Sequence, residues 1–272
     1  MLAIAPCWDE PTQYSFKWIN SLLNQLNVEY TPLFKDDATR ENFEREAEKH
    51  DLIVFYNHGS PSGLYAQKGT SYVIDKNNDH LLKGKVIFTL ACLWCADGGI
   101  DAWKKGAEAV WGYTSEFGFT LTDEQLFEEC ANYGLIVKVK EGISWEEALE
   151  RAKKKFDEAI SRAKDGWSVI WLRHDRDALV CYTVKNPPKT STCMFRKLLI
   201  KILGPEKAWK ISRKHALSTL FFGAGAGVYI HDRIVEWTVL ECRLHALDIG
   251  ATLIALSWIL ISYDFIKWLK ND

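Results

Sequence analysis

Short apolar runs alternate with amphipathic stretches through residues 1–184. Leu2–Ala5 is a brief strand-like run ended by Pro6, after which Phe16, Ile19, Leu22, Leu23 and Leu26 recur at helical spacing. Residues 28–34 suit a second strand, and Thr39 can cap a helix with Phe43 and Ala47 on one face. The run DLIVFYNHG (51–59) reads as a strand buried on both faces, since its Ile, Val, Phe and Tyr do not alternate with polar residues. Residues 63–75 alternate as a hairpin does. KVIFTLAC (85–92) is another buried strand, GGIDAWKKG a short helix, and AEAVWGYT a strand ending near Thr114. This order predicts an α/β fold, a mostly parallel sheet flanked by helices.

Two longer helices are expected at 123–133 and 144–163. The second opens with Ser144 and Glu147 in capping-box spacing and carries Leu149, Ala152, Phe156 and Ile160 as a core-facing stripe. Residues 178–184 form the last strand, and Asn186, Pro187 and Pro188 break the pattern. The expected organisation is a domain at 1–184, a basic, Pro-containing linker at 185–214, and a two-helix membrane segment at 215–272.

The tail differs in kind from what precedes it. Residues 196–214 hold seven basic side chains and one acid, Glu206, and uncharged runs follow at 216–230 and 249–263. Each run has 15 residues, short of the ~20 that span a bilayer, but flanking residues can extend them by snorkelling. Gly223 and Gly227 form a GxxxG, which permits close approach of membrane helices. The basic flanks put both ends of this hairpin on the cytoplasmic side by the positive-inside rule. The other reading is a soluble helical subdomain.

Composition narrows the class without naming it. With 47% hydrophobic residues the 272-residue chain can build a packed core, which excludes a disordered tail or a disulfide miniprotein. The net charge of -2 gives no basic excess of the kind that marks nucleic-acid binders, so no nucleic-acid partner is expected. Seven scattered cysteines, after a start that lacks the pattern of a secretory signal, suit a reducing, cytoplasmic setting for the first domain. Zinc would need further ligands at matching spacing, so neither a metal nor another cofactor is expected.

The two strongest strands end in His58-Gly59 and Ala91-Cys92. In a parallel sheet, adjacent strands deliver their C-terminal residues to one edge, where such folds place their sites. A thiol needs a base to become a thiolate, and an imidazole suits that role. Attack on a carbonyl then needs two N–H donors for the oxyanion, for which the amides of Gly59 and Cys92 are candidates.

A hydrophobic block ending in His-Gly, followed by a hydrophobic block ending in Ala-Cys, resembles the clan CD cysteine peptidases, the group of caspases, gingipains and legumain. GAEAVWGYT is similar to the strand after the nucleophile in gingipain-like members. The likeness follows element order over 1–184, but its specific motifs occupy 51–59 and 85–114. It implies a caspase-like sheet, His58 and Cys92 as catalytic dyad, Gly59 and Cys92 as oxyanion donors, and a peptide or protein substrate. The spacing of 34 residues from His58 to Cys92 is shorter than in caspases, and no Q-A-C-R-G sequence is present. In several members an acid just after the first strand reads a basic substrate side chain. Asp9 and Glu10 occupy that region, where a solvated loop acid or a helix N-cap is the competing role. Asp97 and Asp101 could instead line the cleft.

The leading expectation is thus a cysteine peptidase tethered to the cytoplasmic face of a membrane. An inactive, caspase-like binding or signalling module is one alternative. A thiol-disulfide protein using Cys92 and Cys95 is another.

Overall fold

In a computed structural model, residues 1–188 are described. The chain divides into two units, Met1–Ser191 and Thr192–Asp272, and the account below concerns the first. The expected membrane segment at 215–272 and nearly all of the linker therefore lie outside the described residues. Among those described, no helix is long and apolar enough to cross a membrane.

Along the chain run β1 (Leu2–Ala5), α1 (Glu10–Leu26), β2 (Thr31–Phe34), α2 (Arg40–Glu46) and β3 (Leu52–Tyr56). Next come β4 (Gly59–Ser60), β5 (Gly63–Tyr65), β6 (Tyr72–Asp75), β7 (Val86–Leu90), α3 (Gly98–Lys104) and β8 (Ala109–Tyr113). Three helices, α4 (Glu124–Glu141), α5 (Trp145–Arg162) and α6 (Gly166–Ala178), precede β9 (Leu179–Tyr182). The main sheet has six strands in the order β2-β1-β3-β7-β8-β9, parallel except for β9 at one edge. A small antiparallel sheet, β4-β5-β6, lies between β3 and β7 in sequence.

Strand alternation sorts the core into two layers. Ala3, Ala5, Val54, Tyr56, Phe88, Leu90, Trp111 and Tyr113 pack with α1, α4 and α5. Leu2, Ile4, Ile53, Phe55, Ile87 and Val110 face the opposite way, with Phe43 of α2, Ala102 of α3 and the hairpin. Helices cover both faces, which is why the strands read as continuous apolar runs.

Local chemistry fixes the helix ends. Asp9 caps α1, accepting from Thr12 N at 3.0 Å, while the Asp9 amide donates to Thr12 Oγ1 at 3.0 Å. Thr39 Oγ1 accepts from Asn42 N at the start of α2, and Ser144 Oγ from Glu147 N at the start of α5. The stripe on α5 is rotated slightly from the expected one. Trp145, Ala148, Ala152, Phe156 and Ala159 are buried, while Leu149 and Ile160 are half-buried at its rim.

Two expectations need correction. α4 does not stop at Tyr133 but continues to Glu141, where Gly142 adopts left-handed geometry with φ 66°. Gly134 breaks no helix here, because its missing side chain leaves room for the Trp111 indole. α6 was not expected at all. Its exposed Trp167 and Ile170 blur the apolar stripe, leaving the Asp165 cap on Ser168 as its clearest start signal.

Candidate active site

β3 and β7 are adjacent and parallel, with Leu52 opposite Val86 and Tyr56 opposite Leu90. Every pair differs by 34 in number, which is also the spacing from His58 to Cys92, each two residues beyond its strand. Val54, Tyr56, Phe88 and Leu90, two and four residues before them, all pack on the α1 and α4 side. The Asn57 amide continues the ladder to Leu90 O at 3.1 Å.

Gly59 abuts the nucleophile turn. A Cβ built there would lie 2.7 Å from Cys92 O and 2.9 Å from Ala91 Cβ, so the two motifs touch through backbone. Any side chain would force them apart.

His58 is held by Asp9. Its Nε2 lies 2.9 Å from Asp9 Oδ2, and both side chains are more than a third exposed, at 36% and 39%. An ionised carboxylate can only accept, so Nε2 carries the proton and Nδ1 is left as the basic nitrogen. Burial raises the Asp9 carboxyl, but bonds from the His58 ring and from Thr12 outweigh it, and the group titrates below the ordinary aspartate value. The Trp8 ring, tilted 5.5 Å from that of His58, walls one side.

Two amide side chains with no motif of their own build this corner. Asn57 Nδ2 donates to Pro6 O at 2.6 Å while Asn57 Oδ1 accepts from His58 N at 2.6 Å, tying the end of β1 to the end of β3. Gln67 pairs with the Cys7 backbone through both its amide atoms, at 2.7 and 2.9 Å. Asparagine and glutamine at strand and loop ends are common, so their spacing carries no signal. They are recognised once the loops they join are seen side by side.

Cys92 is half-buried, and its sulfur is engaged by Phe117 rather than by His58. Phe117 N donates to Sγ at 3.4 Å, and the thiol faces Phe117 O at 3.9 Å. Burial pushes the thiol up; the Phe117 and Cys92 amides oppose this only in part, and Glu116 adds to it. The next residue, Leu93, is held at φ 62°, a left-handed geometry rare for leucine, and its amide donates to Ser115 O at 2.9 Å.

Cys95 sits elsewhere. It is fully buried against Gly99 and Gly112, and burial pushes its thiol well above the usual range. Cys92 and Cys95 are both free thiols. Asp101 is on the exposed face of α3, ion-paired with Lys104 at 3.2 Å. Among the described residues, no cluster of His, Cys, Asp and Glu could hold a metal ion.

No family model matches the chain, and no curated protein or solved structure matches it either.

Proposed function

We propose that this chain is a cysteine peptidase of caspase-like fold, in which Cys92 is the nucleophile, His58 its base, and the amides of Gly59 and Cys92 the oxyanion donors. The observation that supports the reading is the constant offset of 34 between the adjacent, parallel β3 and β7, which equals the spacing from His58 to Cys92 just beyond their ends. In this reading His58 Nδ1 takes the thiol proton, the thiolate attacks the peptide carbonyl, and the proton passes to the leaving amine before water hydrolyses the thioester. Asp9 acts through His58 by fixing its tautomer, while staying the cap of α1. With Oδ1 on Thr12 N and Oδ2 on His58, Asp9 keeps no free oxygen for a basic substrate side chain.

The test is incubation of the full chain with a peptidyl electrophile and with a fluorogenic peptide library. Turnover, with the probe mapped to Cys92 by mass spectrometry, is expected. Absence of both after the thiol is shown to be accessible rejects the peptidase. The inactive binding module is favoured by one observation, the engagement of Cys92 Sγ by Phe117 instead of His58. It predicts an accessible thiol with no turnover.

Asp9→Asn separates the carboxylate from the cap, because asparagine caps a helix as well as aspartate does. We expect turnover to fall roughly tenfold while helix content holds. A carboxyl titrating below its ordinary value contributes stability that is present above the unfolded value and lost as pH falls through the folded one. The stability gap between the wild type and Asp9→Asn, measured by urea unfolding, should therefore narrow on acidification through the carboxylate range.

A redox role for Cys92 and Cys95 would need a second reactive thiol, whereas Cys95 is fully buried. Cys95→Ala is expected to cost about 1–2 kcal/mol of stability and leave turnover within twofold. Loss of activity on that change, with a reductant-sensitive bond between the two, would reject the assignment.

For localisation we propose attachment to the cytoplasmic face of a membrane, supported by the uncharged runs at 216–230 and 249–263 and the seven basic residues ahead of them. Carbonate-resistant sedimentation with membranes, together with protection of the first domain from external protease, is the expected result. A full chain that stays soluble without detergent would overturn it.

A further inference from the structure

The chain that leaves β8 crosses Cys92 before it reaches α4. Over residues 115–118 it has no regular structure, yet each of its residues makes a hydrogen bond through its backbone on one side or the other. Toward Cys92, Ser115 O accepts from Leu93 N at 2.9 Å and Phe117 N donates to Sγ at 3.4 Å. Toward α6, His174 Nε2 lies 2.9 Å from Glu116 O, and Gly118 N donates to Asp175 Oδ1 at 3.2 Å. The Trp171 ring packs on Gly118 so closely that no side chain would fit there. The Phe117 ring is seated in an aromatic nest, 5.0 Å from Tyr113 and 6.2 Å from Trp18.

Asp175 is a costly way to hold one amide. The residue is 0% exposed, and its second oxygen, Oδ2, is buried without a hydrogen-bond partner. The groups facing it are Cys92 after β7, Tyr113 of β8, Cys130 of α4 and the amide of Gly118, none of them a cation. The next residue on α6, Arg176, pairs with Asp157 and Asp177, and the cations beside Cys130, Lys155 and Arg162, pair with Glu129.

We propose that residues 115–118 are a latch over Cys92, pinned by His174 and Asp175 as positioning residues, and that access to the thiol is regulated by opening this latch. The inference rests on reading Cys92 as the reactive thiol and adds how that site is controlled. The closed latch holds Sγ on Phe117 and away from His58; the open latch frees it to exchange its proton.

The sign of the pH dependence follows from burial, which pushes the Asp175 carboxyl well above the aspartate value. A group whose folded value is raised supports the closed form below its unfolded value and ceases to do so as pH rises through the folded one. Opening hydrates Asp175 and releases its proton, so opening is favoured at higher pH. A lone thiol gains about one decade of alkylation rate per pH unit below its pKa, and release of the Asp175 proton on opening makes the rise steeper than that.

The experiment is alkylation of the full chain by iodoacetamide across about pH 6–9, with Cys92 followed by mass spectrometry. The wild type should show the steeper slope. Asp175→Asn keeps a carbonyl oxygen for Gly118 N but cannot ionise, so its slope should fall to that of a lone thiol. His174→Ala, which frees Glu116 O, should raise the Cys92 rate about fivefold, the worth of one hydrogen bond, with Cys95, Cys130 and Cys181 still protected. A lone-thiol slope in the wild type, an unchanged slope in Asp175→Asn, or an unchanged rate in His174→Ala overturns the latch. Iodoacetamide needs no substrate recognition, so a chain that shows the latch but never reacts with a peptidyl electrophile keeps this inference and rejects the peptidase.

Discussion

Replacing Cys92 by alanine is expected to abolish peptide turnover and probe labelling, a loss of at least about 10³-fold, while the fold survives. The loss is large because the sulfur forms the bond to substrate: Cys95, Cys130 and Cys181 are buried, each with its thiol pushed up by burial, and Cys7, the other half-buried thiol, lies before α1 with its backbone held by Gln67. His58→Ala should fall by about 10²–10⁴-fold, the usual worth of a positioned base. The two losses should not add, since base and nucleophile act in one step. Initial rates on the best library peptide, with labelling stoichiometry, decide the matter. Turnover persisting in Cys92→Ala, or a His58→Ala chain with the wild-type rate and pH profile, would end the dyad reading.

The sheet was legible because its strands are buried on both faces. Residues 52–56 and 86–90 are, but for Thr89, runs of apolar and aromatic side chains that no surface helix would carry, and their breaks fall at His58 and Cys92, where burial ends. α4 was misjudged for a tertiary reason, since nothing local says that Gly134 exists to receive Trp111. α6 was missed because exposed Trp167 and Ile170 hide its inward positions, Ser168, Leu172 and Asp175.

For the candidate site, residue types and the spacing of 34 are readable, and the same offset of 34 recurs in the register between β3 and β7. Asp9 was picked out for its place after the first strand, and the structure puts it on His58 while it also caps α1. A cap and a histidine partner need the same free carboxylate oxygens, one for each role, so the sequence offered no means of separating them. The partners of Cys92 were not readable at all. Phe117, which meets the thiol, and Asp175, which holds the next amide at Gly118, lie 25 and 83 positions further along, in a loop and a helix with no motif.

Gly59→Ala is the second change from which we expect a large effect. The added Cβ would meet Cys92 O at 2.7 Å and Ala91 Cβ at 2.9 Å, neither of which is the far end of a flexible side chain, so backbone must shift. Overpacking of this kind costs about 1–3 kcal/mol, which for a domain of this size lowers Tm by about 2–4 °C per kcal/mol. The effect on rate should be larger than that on stability. The shift moves the Cys92 backbone relative to His58, and a misplacement of ~1 Å at reacting groups can cost about 10²-fold. Gly63→Ala separates the two effects. Gly63 pairs with Ser60 of β4, but its Cβ would meet Ile74 O at 2.6 Å and the Tyr72 ring at 2.8 Å, both in β6, so it should lower Tm comparably without pressing on the Ala91-Cys92 turn. Turnover and thermal melts on both variants form the measurement. A Gly59→Ala chain at full rate, or the same fractional loss of rate in both variants, would mean that close approach of these two turns has no part in the chemistry.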